Sequence, residues 1–164
     1  MTVGVFPGSF DPLTTAHLAV VDAAITTLGL ARLDLVLSAV ALEKEHGGHA
    51  PVEERLAAIE AAGTTRPVRG LLTEHQLIAD IAEGYDVCVL GADKWHQLQD
   101  PAFYGGSTVR RDEALARLPR LAVAPRAGID TPPLSDGIVL LPIDPSFGDV
   151  SSTGVRAGRS DWRA

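Results

Sequence analysis

The chain has 164 residues, 46% of them apolar and 21% charged, so it is long enough to bury one sizeable core. A formal charge of −7 excludes a generic nucleic-acid-binding surface, and a single cysteine excludes a disulfide scaffold. No apolar run approaches a membrane-spanning length, and no basic segment precedes an apolar one at the N-terminus, so no membrane partner and a cytoplasmic setting are expected.

The apolar run from Val3 to Phe6 predicts a buried strand. A turn with Pro7 and Gly8 follows, then Thr14 or Thr15 as the N-cap of a helix whose apolar positions are Leu18, Val20, Val21, Ala24, Ile25 and Leu28. Leu33 to Leu37 is the second expected strand. Ala41 to Pro51 reads as a long loop carrying Glu43, Lys44, His46, Gly47, Gly48 and His49, a length that usually belongs to function or motion. His46 and His49 have no third ligand of recognisable spacing, so no protein metal site is expected. Pro51 to Ala62 predicts a helix, with Pro and two glutamates in its first turn.

Val68 to Leu72 predicts a third strand, and Thr73 is expected to cap a helix through Leu77, Ile78 and Ile81 that ends at Gly84. Asp86 to Leu90 predicts the fourth strand, with Cys88 as an inert buried residue. A polar, aromatic region with Trp95, His96, Phe103 and Tyr104 precedes a helix from about Ser107 to Leu118. Arg120 to Ala124 and Ile138 to Leu141 predict two more strands, separated by a Gly/Pro-rich loop from Ala127 to Asp136. A short helix begins near Ser151. Alternating strands and helices predict a single α/β domain over residues 1–164, with an open parallel sheet.

In such sheets ligands bind beyond the carboxyl ends of the strands. The strand delivers the Gly8 loop to a helix N-terminus, where free N–H groups and the positive dipole end favour an anion, and Thr14 and His17 add side-chain donors there. Ser151, Ser152 and Thr153, with Arg156 one turn on, read either as helix caps or as a second anion site. Asp93 follows a buried strand, where it reads either as an exposed carboxylate in an ordinary strand-end turn or as a ligand-facing one. Trp95, Phe103 and Tyr104 either stack on a flat acceptor ring or form a satellite apolar cluster.

Gly8-Ser9-Phe10-Asp11-Pro12 followed by Thr14-x-x-His17 resembles the G-x-F-D-P-x-[HT]-x-G-H signature of adenylyltransferases and cytidylyltransferases. Ser151-Ser152-Thr153-x-Val155-Arg156 resembles their C-terminal S-S-T-x-[IV]-R, and Gly91-x-Asp93 resembles the G-x-D of the mononucleotide enzymes. Thr14 stands where most members have the first His, as in the phosphopantetheine branch, and Ala16 stands where the family has Gly.

The resemblance implies a Rossmann-like sheet with helices on both faces. It implies transfer of a nucleotidyl group, AMP from ATP foremost, onto the phosphate of a small acceptor, with pyrophosphate leaving and Mg²⁺ accompanying the triphosphate. Its site residues would be His17, Thr14, Lys44 and Arg156 for catalysis, and Gly8, Ser9, Phe10, His17, Gly91, Asp93, Ser151, Ser152, Thr153 and Arg156 for the nucleotide. Arg126, in a V-x-R-x-G-like stretch, is a further position of resemblance. Arg55 either supports the Lys44 loop or pairs with a carboxylate on its own helix, the second being favoured. Nicotinate mononucleotide is the leading acceptor, with phosphopantetheine and a cytidylyltransferase as alternatives. A non-catalytic nucleotide-binding module is the alternative of another class, and homo-oligomerisation stays open.

Overall fold

A computed structural model describes residues 1–43, 49–133 and 135–164. In chain order the elements are β1 (Val3–Pro7), α1 (Thr15–Leu28), β2 (Arg32–Ser38), α2 (Ala39–Glu43), α3 (Val52–Ala62), β3 (Val68–Thr73) and α4 (Ile78–Ile81). They continue with β4 (Val87–Gly91), α5 (Ala92–Gln99), α6 (Thr108–Arg117), β5 (Arg120–Ala124), β6 (Ile138–Leu140) and α7 (Ser152–Arg156). The strands form one six-stranded sheet in the order β3-β2-β1-β4-β5-β6, and every pairing is parallel.

Strand alternation sends neighbouring residues to opposite faces. Phe6, Leu33, Leu35, Leu37 and Val89 pack on one face with Val20, Val21 and Ala24 of α1 and Ile59 of α3. Val5, Val36, Cys88, Leu90 and Val123 pack on the other with Ile81 of α4 and Leu98 of α5. Both faces are covered, which is why these strands read as nearly continuous apolar runs. Burial pushes the Cys88 thiol up to about 12, so it is inert as expected. Asp34 of β2 puts a carboxylate inside the sheet: it is fully buried, accepts from Arg32, Arg69 and the Tyr85 hydroxyl, and is held below the usual carboxylate range by these partners against the cost of burial.

All six expected strands form, within a residue or two of the predicted limits. Two expectations fail, and one region left unassigned proves helical. Thr73 caps no helix; it ends β3, its side chain accepts from the His75 amide, and α4 is a single turn entered from Leu77. The Trp95 region is a regular helix, α5, followed by a 3-10 turn over Pro101–Tyr104. The long loop after β2 begins as helix α2. No helix among the described residues is long and apolar enough to cross a membrane.

Candidate functional site

Strand order reverses between β1 and β4, and a crevice opens there beyond the carboxyl ends of the strands. A cleft of about 740 Å³ occupies this place. Pro7 at the end of β1 and Gly8 after it, Ser38 at the end of β2, Gly91 at the end of β4 and Pro125 after β5 all line it, together with residues of α1 and α7.

The loop after β1 is shaped from within. Phe10 has a φ of 46°, left-handed backbone that costs a non-glycine residue about 1–2 kcal/mol. Its ring is 1% exposed and meets Phe6 edge-on at 5.2 Å and His17 at 5.1 Å between centroids. A Cβ on Gly8 would come within 2.8 Å of that ring. Gly8 therefore serves first to admit Phe10, and Phe10 serves to seat His17.

Thr14 is the N-cap of α1 and forms a capping box with His17. The His17 amide donates to Thr14 Oγ1 at 3.2 Å, and the Thr14 amide donates to His17 Nδ1 at 2.9 Å. Since Nδ1 accepts, the neutral ring carries its proton on Nε2. Burial, with the positive charge of Arg126 adding to it, pushes the His17 pKa down to about 4. The cleft thus holds a neutral imidazole with one N–H to donate. Thr14 itself is 1% exposed and its hydroxyl is taken up by the cap, so it acts on the cleft through His17.

The C-terminal motif meets the first one. Ser151 caps α7 by accepting from the Gly154 amide at 2.9 Å. Ser152 Oγ donates to the Pro12 carbonyl at 2.7 Å, and Thr153 Oγ1 accepts from Arg156 Nη2 at 3.2 Å. All four line the cleft. Behind α7 the Trp162 ring packs so closely on Gly154 that a Cβ there would collide with it, and the Arg159 guanidinium lies 4.0 Å from the ring centroid. The Ala164 amide donates to the Leu13 carbonyl, and Arg163 bridges to Thr14. Tail, α7 and first loop form one packed unit.

The cleft brings together Gly8, Ser9, Phe10, Thr14, His17, Gly91, Asp93, Ser151, Ser152, Thr153 and Arg156. Lys44 and His46 lie outside the described residues. Trp95, Phe103 and Tyr104 are not among the lining residues. Trp95 packs on the core, Tyr104 is buried beside Ala79 and Ala114, and Phe103 faces solvent at 57% exposure, so the satellite-cluster alternative describes Tyr104. Arg55 pairs across the fold rather than along its helix: its Nη2 lies 3.4 Å from Asp11, and it donates to the Ser9 and Ala50 carbonyls.

Sequence reasoning passed over Lys94, Gln76 and Ser38, which also line the cleft. The signal for Lys94 was its place directly after Gly91-x-Asp93. Arg126, noted only as a position of resemblance, lines the cleft too. Among the described residues no group of three or more His, Cys, Asp or Glu is placed to hold a metal ion.

The chain is 33% identical over 90 residues to the phosphopantetheine adenylyltransferase of Levilactobacillus brevis, an alignment covering 55% of this chain and 53% of that protein. It is 39% identical over 61 residues to that of Roseobacter denitrificans, covering 37% and 34%. The matched stretches thus span about half or less of the curated relatives. In fold it is similar to the Plasmodium falciparum nicotinic acid mononucleotide adenylyltransferase complexed with APC, with a TM-score of 0.62 at 13% identity over 95% of this chain and 82% of that one. The same enzyme complexed with NaAD matches with a TM-score of 0.61. The family model described as cytidylyltransferase-like matches residues 5–158, which take in the loop after β1, the cleft and α7. This chain belongs to the cytidylyltransferase-like family.

Proposed function

We propose that this chain is a nucleotidyltransferase that moves a nucleotidyl group, AMP from ATP foremost, onto the phosphate of a small acceptor. An acceptor phosphate oxygen attacks the α-phosphorus, a new P–O bond forms, and the bond to the β-phosphate oxygen breaks. Its electron pair leaves with pyrophosphate. The observation that carries this reading is the neutral His17 imidazole at the N-terminus of α1, its Nδ1 tied to the Thr14 amide and its Nε2 left to donate.

Phosphoryl transfer of this kind runs on positioning and charge stabilisation. His17 Nε2–H would donate to an α-phosphate oxygen. Arg156 and the α7 hydroxyls would face the outer phosphates, and Asp93 at the start of α5 would accept from ribose hydroxyls. Lys44 would add a positive charge, as the resemblance implies. The donor set suits Mg²⁺ arriving with the triphosphate, where it would neutralise phosphate charge, because among the described residues Asp93 is the single carboxylate lining the cleft.

The leading acceptor is nicotinate mononucleotide, supported by Gly91-x-Asp93, the S-S-T-x-V-R end and likeness of fold; phosphopantetheine is the second reading, supported by Thr14 and the sequence relatives. The test is pyrophosphate release from ATP and from CTP with Mg²⁺ against a panel holding both acceptors and simple sugar and alcohol phosphates. Release with one pair fixes base and acceptor together. Silence across the panel with ATP still bound shifts the reading to an acceptor outside the panel or to a binding module.

A further inference from the structure

The chemistry above leaves the buried carboxylate beside the cleft without a task. Asp11, in the loop after β1, is 1% exposed, and its partners come from distant parts of the chain. Its Oδ1 accepts from the Ala50 amide at 2.9 Å, just ahead of α3. Its Oδ2 contacts His49 Nδ1 and lies 3.4 Å from both Arg55 Nη2 and Arg156 Nη1. Arg156 also donates from Nη1 to the Asp11 carbonyl. These partners hold the carboxyl below its ordinary range although burial opposes them.

The two guanidiniums differ. That of Arg55 is buried and donates to the Ser9 and Ala50 carbonyls, so it fixes the loop to α3. That of Arg156 lines the cleft, held on one side by Asp11 and on the other by Thr153 Oγ1. A guanidinium has five N–H donors in a rigid fork. With Asp11 and Thr153 fixing part of that fork, the rest is aimed with less rotamer freedom than an unpaired arginine would have. Removing the carboxylate would leave two like charges facing each other across the loop, one of them buried.

We propose that Asp11 is a positioning residue: its carboxylate, shared between Arg55 and Arg156, aims the Arg156 guanidinium at the outer phosphates of the bound nucleotide. The inference rests on the nucleotidyltransferase reading, and the test separates the two. Binding of Mg·ATP is measured by calorimetry on the wild type, Asp11→Asn, Arg156→Ala and the double variant. Asp11→Asn is expected to weaken binding about tenfold when Arg156 is present, and less than about twofold in the Arg156→Ala background.

Wild-type protein that binds no Mg·ATP overturns the functional reading. Wild-type binding with equal losses in both backgrounds, or no loss on Asp11→Asn, overturns the positioning role alone. Should Asp11→Asn not fold, Asp11→Ser keeps an acceptor for the Ala50 amide and takes its place. Loss of the fold with both substitutions assigns Asp11 to structure only and overturns the proposal.

Discussion

The cleft has two walls built by different means. The wall of β1, α1 and α7 consists of backbone amides, hydroxyls and an imidazole, each fixed by a named hydrogen bond: Thr14 with His17, Ser151 with Gly154, Ser152 with Pro12. The wall contributed by β2, α2, α4 with the turn before it, and α5 is largely aliphatic, with Leu42, Ile78 and Ile81, and carries Ser38, Gln76 and Lys94. A wall of pre-oriented donors stabilises charge, because its dipoles need no rearrangement when charge develops. An aliphatic wall with a few polar groups selects a molecule by shape and fixes its orientation. Under the proposed function, the difference would put the chemistry on the first wall and the choice of acceptor on the second.

The largest expected effect tests the first wall. His17→Ala should lower turnover by about a hundredfold, in the range of losing one transition-state donor, while the acceptor KM changes little. Steady-state kinetics decide it, and turnover near wild type would remove His17 from the chemistry.

The same residue ties that wall to stability. An unperturbed histidine takes up its proton near 6.5, and His17 in the folded chain does so at about 4. Between these values the unfolded chain binds more protons. The stabilisation is therefore fully present above 6.5 and falls by on the order of 3 kcal/mol as pH drops to about 4. Urea unfolding across this range should show that slope in the wild type and a shallower one in His17→Gln. Parallel profiles would mean that His17 titrates normally.

The two walls also differ in how far they could be read in advance. The strands were legible because burial on both sheet faces leaves short apolar runs bounded by turn residues. The first wall was legible because its signals are local: Gly8, Thr14 and His17 stand within one strand–turn–helix unit. What those residues do was only partly legible. Gly8 makes room for the Phe10 ring, and Thr14 spends its hydroxyl on the cap, details that depend on packing.

The second wall draws Ser38, Gln76 and Lys94 from three separate segments, and nothing in their spacing announces a shared surface. Helix α5 escaped notice although Ala92, Trp95 and Leu98 recur every third residue on its packed side, because polar residues fill the positions between. Asp11 and Asp34 lie at the limit of sequence reasoning. A carboxylate in an apolar context signals a partner, yet Arg156 is 145 positions from Asp11, and Tyr85 is 51 from Asp34.

A smaller effect tests the second wall. Lys94→Met keeps the side chain's length and apolar stem and removes its charge. It should raise the acceptor KM about tenfold, the range of one hydrogen bond to a charged group, with turnover nearly unchanged, as for a contact made equally in ground and transition states. Equal loss in turnover would move Lys94 into the chemistry of the first wall. An unchanged KM would take it out of the acceptor's reach.

The smallest effect marks where the second wall ends. Phe103 is one of three aromatic residues, with Trp95 and Tyr104, that the sequence offered either for stacking on an acceptor ring or for a satellite apolar cluster. It stands 57% exposed in the turn after α5 and lines no part of the cleft. An exposed side chain outside a core or cap contributes within about 0.5 kcal/mol to stability, so Phe103→Ala should leave the melting temperature nearly unmoved. Every acceptor KM should stay within about twofold of wild type, since a change of 1.4 kcal/mol is needed for tenfold. If the KM for a planar acceptor rises while that for an aliphatic phosphate does not, the turn after α5 closes over the ligand, and the second wall extends from aliphatic side chains to an aromatic lid.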